Sequence, residues 1–104
     1  MINKDSGQKW FKISYSEKFS VETANLYCEI DGFGKPLRSV ELFRDGSRDC
    51  ADVDNLNGVS GKTFLPETNV SDADIYDCSI NGVSSRFITK SEFESIWRAT
   101  LDLI

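Results

Sequence analysis

Apolar residues recur at every second position in three short segments of this chain, and this alternation most constrains its fold. The segments are 9–15, 25–31 and 37–43. Because successive side chains of a strand point to opposite faces, each segment is predicted to be a half-buried β-strand. The residues that carry the pattern are Phe11, Ile13 and Tyr15, then Leu26, Cys28 and Ile30, and finally Val40 and Leu42.

Turn-forming residues separate these segments. Residues 31–36 supply glycine and proline between the second and third strands, and Asp45-Gly46 directly follows the third. An Asp-Gly pair between strand-like segments is a strong hairpin signal, so residues 47–52 are expected to return antiparallel to 37–44. Two consecutive hairpins predict an antiparallel meander.

The segment 53–69 has a different composition from the strands. It is rich in Asp, Asn, Gly and Ser, and only Leu56, Val59, Phe64 and Leu65 are available to anchor it. It is predicted to be a long loop with a short strand near Thr63, and loops of this length are usually functional or mobile. The following segment, 71–77, fits either a helical turn capped by Ser71 or a strand through Ile75-Tyr76, and the sequence leaves both open.

The C-terminal segment carries a helical pattern. Thr89 and Glu92 have the spacing of a capping box, in which each side chain accepts from the other residue's backbone N–H. An apolar stripe at helical spacing follows, formed by Phe93, Ile96, Trp97, Leu101 and Ile104. We expect a helix of about 15 residues on one face of the sheet, with Trp97 as a core anchor. The prediction is a single α+β domain, 1–104, with an antiparallel sheet of about five or six strands and a C-terminal helix packed on one face.

Negative charge is concentrated in the middle of the chain. Between Asp45 and Asp77 there are eight carboxylates and two basic residues, a formal charge of -6, whereas the remainder holds nine acids and ten bases. An acidic field repels nucleic acid and membranes and steers cationic partners into encounter. The distribution therefore favours a basic protein partner, with no nucleic acid and no membrane among the partners. No segment has the roughly 18 to 20 apolar residues of a membrane span or resembles a signal peptide, so a cytoplasmic location is expected.

The cysteine and histidine content limits which metal sites, disulfides and catalytic groups the chain can form. The chain has three cysteines, Cys28, Cys50 and Cys78, without a C-x-x-C pair, and it has no histidine. Zinc sites, disulfide frameworks and the common catalytic triads are therefore disfavoured. We expect the cysteines to be small buried residues. No cofactor and no metal are predicted.

Three enzyme-like alternatives use the acidic region. Asp49, Asp52 and Asp54, with Asn55 and Asn57, could ligate a hard cation such as calcium or magnesium, but the spacing does not match a calcium loop. Asp49 and Asp52 could also form a glycosidase-like pair, although nothing in so polar a stretch suggests a raised pKa. Residues 58–63 resemble a phosphate loop without its first glycine, and a flexible turn is the expected structure there.

Four blocks of the sequence also carry a resemblance to a known family. The blocks are 27–31, 38–46, 51–52 and 88–97, within a similarity that spans roughly residues 26 to 98. Together they resemble a family of small bacterial domains of unknown function that occur beside polymorphic toxin systems. The resemblance implies an immunity role of the contact-dependent growth inhibition type, and it implies no catalytic residues.

These observations combine into one leading hypothesis. Because a nuclease must bind a polyanion, its active cleft is lined with Lys and Arg, and a carboxylate-rich protein can occupy that cleft. We expect a non-enzymatic immunity protein that neutralises a cationic toxin domain, most simply an RNase or another nuclease, in a one-to-one heterodimer. A non-enzymatic adaptor with another basic partner and a carboxylate-dependent or metal-dependent hydrolase are the alternatives. The predicted partner-binding residues are Asp45, Asp49, Asp52, Asp54, Phe64, Glu67, Asp72, Asp74, Tyr76 and Asp77.

Overall fold

A computed structural model describes residues 7–75 and 82–104 of the chain. In these ranges the strands are β1 (Lys9–Tyr15), β2 (Thr23–Ile30), β3 (Pro36–Phe43), β4 (Arg48–Asp52) and β5 (Val83–Ile88), and the helices are α1 (Asp72–Ile75) and α2 (Lys90–Leu103). The strands form one antiparallel sheet in the order β4-β3-β2-β1-β5. The predicted α+β architecture is confirmed, with the meander of β1 to β4 extended by β5 beside β1.

The Asp-Gly hairpin is present between β3 and β4. Phe43 N donates to Ser47 O at 2.9 Å, and Gly46 N donates to Phe43 O at 3.1 Å. Gly46 has φ of 92°, a left-handed conformation that glycine adopts without a Cβ clash. The Asp45 carboxylate accepts from Ser47 N at 2.8 Å, which explains the choice of aspartate before this glycine.

Helix α2 covers one face of the sheet, and its start follows the predicted capping box. Glu92 N donates to the Thr89 hydroxyl at 3.1 Å, and Thr89 N donates to the Glu92 carboxylate at 3.4 Å. Phe93 is fully buried at the centre of this face. The cluster around it consists of Val40, Cys50, Ile88 and Phe93, with Trp10, Tyr27, Leu42, Ile96 and Trp97 packed against it.

The predicted apolar stripe is wrong in the last turn of α2. Leu101 and Ile104 are exposed, and Thr100 is the buried residue there. A helix turns about 100° per residue, which places Thr100 within about 20° of Phe93 but Leu101 about 80° away. Ile104 lies beyond the last helical residue. The face of α2 that packs on the sheet therefore ends at Thr100, which a prediction based on apolar residues did not include.

The opposite face of the sheet is covered by residues 53–71, which we call the covering loop, and by α1. Ile75 is buried in a cluster with Phe11, Cys28 and Ile30, and Val70 packs against it. The covering loop makes defined backbone hydrogen bonds to the chain beneath it, including Val59 N to Cys50 O at 2.9 Å and Val70 N to Gly34 O at 2.8 Å. It acts as a second layer of the fold.

Within the covering loop and α1, two predictions are corrected and one alternative is chosen. No strand forms near Thr63. Residues 72–75 are helical, so the helical turn replaces the strand alternative at least through Ile75, while Tyr76, Asp77 and Cys78 lie outside the described residues. Ser71 donates its hydroxyl to the Asp74 carboxylate at 3.1 Å, and that carboxylate also accepts from Ser71 N at 2.9 Å. The Ser71 hydroxyl therefore donates to Asp74 and does not act as the predicted cap that accepts from a helical N–H.

Neither helix in the described ranges has the length and apolar character that crossing a membrane requires.

Candidate functional site

The covering loop holds several large apolar side chains on its outward side. Phe64 is 64% exposed, Val53 is 57% exposed and Leu56 is 56% exposed, although each is a large hydrophobic residue. Their neighbours Thr63 and Leu65 are buried against the sheet. We call Val53, Leu56 and Phe64 the outer loop surface. The prediction that Leu56 and Phe64 anchor the loop is therefore wrong, because the anchoring is performed by Leu65 and by polar contacts.

Asp49 is the main polar anchor of the covering loop. Its side chain is fully buried and accepts three backbone N–H groups, from Cys50 at 2.9 Å, Ser60 at 2.9 Å and Lys62 at 2.8 Å. A carboxylate satisfied in this way holds the loop over β4. Asp49 was predicted to bind a partner, and this is corrected because a fully buried side chain presents no surface to one.

The same contacts bear on the enzyme-like alternatives. The backbone N–H groups of Ser60 and Lys62, which a phosphate loop would offer to its ligand, already donate to Asp49. Asp49 and Asp52 are three positions apart on β4, so they point to opposite faces and do not line one cleft. Over residues 7–75 and 82–104, no group of three or more Cys, Asp or Glu side chains is arranged to hold a metal ion.

A groove runs between the outer loop surface and the β2–β3 turn. Its volume is about 790 Å³, and it is lined by Lys35, Pro36, Val53, Leu56, Asn57, Phe64, Leu65, Pro66 and Glu67. Its two charged residues, Lys35 and Glu67, lie among apolar side chains. The groove and the outer loop surface together form a continuous apolar region with a charged rim.

The remaining predicted carboxylates are divided between the two ends of the sheet. Asp45 lies in the β3–β4 turn, whereas Asp52 is the last residue of β4 and Asp54 follows it, roughly 15 Å away for a five-residue strand. Asp54 and Glu67 are exposed. Asp52 is half-buried and accepts from Asp54 N and Asn55 N, both at 2.9 Å. The acidic segment of the sequence is therefore not one patch in space.

The two acidic residues of α1 are already engaged. Asp72 pairs with Lys9 at 2.7 Å, and both side chains are about half exposed. Asp74 accepts from Ser71, as described above. Tyr76 and Asp77 were also predicted to bind a partner, and they lie outside the described residues. Glu67, which lines the groove, and the exposed Asp54, whose neighbour Val53 lines it, are therefore the best placed of the predicted carboxylates.

A second concentration of charge lies between α2 and the sheet. Arg38 Nε and Nη2 donate to the two carboxylate oxygens of Glu29, each at 2.8 Å, and Trp10 Nε1 donates to Glu29 at 2.8 Å. Arg38 also pairs with Glu94 of α2. Its guanidinium lies 4.9 Å from the ring centre of Phe93 and 5.0 Å from that of Trp97. Trp97, predicted as a core anchor, does pack against the core beneath α2.

The ionisation of this cluster follows from its contacts. Burial raises the pKa of Glu29, but hydrogen bonds from Arg38 and Trp10 outweigh burial and leave the pKa below its ordinary value. Hydrogen bonding to Arg38 likewise lowers the pKa of Glu94. The pKa of Arg38 is raised, chiefly by its hydrogen bond to Glu29. All three groups stay charged at neutral pH, and their mutual satisfaction marks a structural clamp between helix and sheet.

The fold and surface define the class of protein: a five-stranded antiparallel sheet closed by a helix on one face and by a loop with an apolar outer surface on the other. The chain belongs to the family described as Domain of unknown function (DUF6881), which matches residues 9–102. No curated protein and no solved structure matches the chain. The family description assigns no activity, so the link to toxin systems stays a prediction.

Proposed function

We propose that this chain is a cytoplasmic immunity protein that binds a cationic toxin domain through the outer loop surface and its groove. The observation that carries the proposal is the exposure of Phe64, Val53 and Leu56 on a loop that is otherwise tied to the sheet. Large apolar side chains held outward in one region of a small domain are typical of interaction sites. Aromatic residues at such positions often contribute most of the binding energy.

Charge supports a basic partner. Asp54 and Glu67 are exposed on the covering loop, and neither takes part in an ion pair within residues 7–75 and 82–104. Carboxylates at the rim of an apolar groove would accelerate encounter with a lysine- and arginine-rich surface and favour its orientation. A toxin that holds nucleic acid presents such a surface around its active cleft.

The anchoring of the covering loop supports binding without catalysis. Asp49 fixes residues 58–62 through the backbone N–H groups of Ser60 and Lys62, so the outer loop surface is presented with little conformational freedom. A rigid surface loses less entropy on association than a mobile loop. The chain therefore acts by occupying or covering the toxin, in a one-to-one complex.

Growth rescue tests this function. The C-terminal domain encoded by the gene immediately upstream is expressed in a bacterial host with and without this chain. We expect the domain to stop growth alone and growth to resume on co-expression, with a purified complex whose affinity falls as salt is raised. A harmless neighbour, or a toxic one that this chain neither binds nor neutralises, would overturn the proposal.

A matched pair of charge variants assigns the surface. The variant Glu67→Gln removes a carboxylate that lines the groove, and Asp102→Asn removes an exposed carboxylate on α2, across the sheet from the covering loop. Both change the net charge equally. We expect the first to slow association with the toxin domain about threefold at low salt and the second to leave it nearly unchanged. Equal effects would mean that only net charge matters.

A further inference from the structure

A separate pocket lies on the other side of Phe64 from the groove. Its volume is about 300 Å³, and it is lined by Tyr15, Phe19, Ser20, Thr23, Leu26, Glu41, Thr63, Phe64 and Pro66. Three of these residues are aromatic. The rings of Tyr15 and Phe19 stack with their centres 5.6 Å apart, and Phe19 and Phe64 are both largely exposed. The pocket therefore has aromatic walls that solvent reaches.

Among the residues of 7–75 and 82–104 that line this pocket, Glu41 is the only charged one. Its two carboxylate oxygens accept from the Thr23 hydroxyl at 2.5 Å and from the Thr63 hydroxyl at 2.6 Å. Within the described part of the chain it forms no ion pair with a lysine or arginine. Each oxygen has a further lone pair, so the carboxylate is fixed in position and still able to accept.

The surrounding turn is braced from beneath. Arg44 donates through Nε to Ser20 O at 3.0 Å and through Nη2 to Tyr15 O, which holds the 16–20 turn that carries Phe19. Arg44 is not among the pocket-lining residues. Its hydrogen bonds are to backbone carbonyls, and it forms no ion pair with the Glu41 carboxylate.

We propose that this pocket receives an arginine side chain of the partner, with the guanidinium paired to Glu41 and stacked on the aromatic walls. This proposal rests on the proposed function and names the side chain that its partner would insert. A planar guanidinium matches both features, because it pairs with two carboxylate oxygens and stacks on aromatic rings. The chain already uses the same chemistry internally, where Arg38 lies over Phe93 and Trp97 and pairs with Glu29.

A titration with a free probe tests the pocket without any partner. N-acetyl-arginine amide is added to the ¹⁵N-labelled chain up to about 50 mM, a range suited to one weakly bound side chain. We expect saturating shifts of amide signals from the pocket-lining residues. The neutral isostere N-acetyl-citrulline amide serves as the control, and its shifts should be small and should not saturate.

Three variants make the result specific. Glu41→Gln removes the pocket charge and should weaken arginine binding about tenfold, as expected for losing a hydrogen bond to a charged group. Phe64→Ala removes an exposed wall, leaves the buried contacts intact and should also weaken binding. Glu67→Gln, outside the pocket, should have no effect.

The proposal is overturned if citrulline shifts the same signals with the same affinity, if no saturable shifts occur, or if Glu41→Gln and Phe64→Ala both bind like wild type. Because the probe is a free amino-acid derivative, this result is separate from growth rescue. Growth rescue without arginine binding would refute only the proposal that the pocket binds arginine. Arginine binding without growth rescue would refute only the proposed immunity role.

Discussion

At the scale of single residues, Arg38 connects three elements of the fold, which its sequence context did not predict. It joins β3 to β2 through Glu29 and to α2 through Glu94, while its planar group covers two aromatic rings. Removing one member of a buried, hydrogen-bonded pair leaves the other charge uncompensated, and this costs more than the pair itself contributes. The capped helix was predictable from sequence, but the charged residues that attach it to the sheet were not, because their partners lie far apart in the chain.

The depressed pKa of Glu29 predicts how stability depends on pH. A carboxyl group whose folded-state pKa lies below its unfolded value of about 4.3 stabilises the fold above that pH. This contribution is lost as pH falls through the folded-state pKa. We expect Glu29→Gln to lower the free energy of unfolding by about 2 kcal/mol at pH 7 and to show a shallower decline in acid.

Urea unfolding at several pH values between about 3 and 7 provides the measurement. The control is Glu94→Gln, whose side chain is more exposed than that of Glu29 and should have the smaller effect. If Glu29→Gln and wild type lose stability in parallel from pH 5 downward, Glu29 does not have the depressed pKa that its contacts imply.

Two cysteines are predicted to be unreactive while the chain is folded. Burial and the charge of Glu29 raise the pKa of Cys28 to about 12, and burial with Asp49 and Asp52 raises the pKa of Cys50 to about 11. The thiolate is the reactive form, so neither should be alkylated at about pH 8 without denaturant. Mass spectrometry of digested peptides gives the measurement, and unfolded chain is the positive control. Rapid modification of either peptide from folded protein would contradict the burial described here.

At the scale of elements, the covering loop was the least predictable part. Its length and polarity indicated a functional or mobile loop. Its anchoring was not predictable, because local sequence does not reveal which backbone donors a distant carboxylate will satisfy. Asp49 accepts from two of these backbone donors, the N–H groups of Ser60 and Lys62. A residue that the sequence suggested was on the acidic surface is therefore a buried anchor of the loop. Strands β1 to β4 and helix α2 were predictable because their periodicity and their capping and turn residues act locally, whereas β5 (Val83–Ile88) was not predicted.

Alanine substitutions at two glycines of the covering loop test how firmly Asp49 anchors it. Gly58 and Gly61 both have positive φ, of 88° and 76°, so alanine is strained at either position. A Cβ at Gly58 would lie 2.2 Å from Asp49 Oδ2, whereas a Cβ at Gly61 would meet nothing within 4 Å. We expect Gly61→Ala to lower the free energy of unfolding by about 1 kcal/mol and Gly58→Ala by about 3 kcal/mol.

The additional cost at Gly58 arises because the carboxylate cannot move aside without breaking its bonds to the covering loop. Urea unfolding of the two variants gives the difference directly. Equal destabilisation would show that Asp49 is free to move and that the covering loop is not held through it.

At the scale of the whole molecule, the two faces of the sheet are covered by different elements. Helix α2 and the Arg38 cluster close one face, and the covering loop closes the other while presenting Val53, Leu56 and Phe64 outward. The concentration of acidic residues in the sequence indicated a basic partner, but it did not indicate where those residues lie in the fold. Asp45 and Asp54 lie at opposite ends of β4. The apolar residues among the acids, and not the acids alone, mark the surface that we expect to bind.

Calorimetric titration of the proposed partner, the C-terminal domain encoded by the upstream gene, in an inactivated form, tests this surface most directly. Leu56→Ala and Leu103→Ala each truncate a largely exposed leucine, the first on the covering loop and the second on α2 across the sheet. We predict that Leu56→Ala weakens binding about tenfold with unchanged stability and that Leu103→Ala binds like wild type. Unaltered binding of Leu56→Ala, or a loss confined to Leu103→Ala, would contradict a partner site on the covering loop.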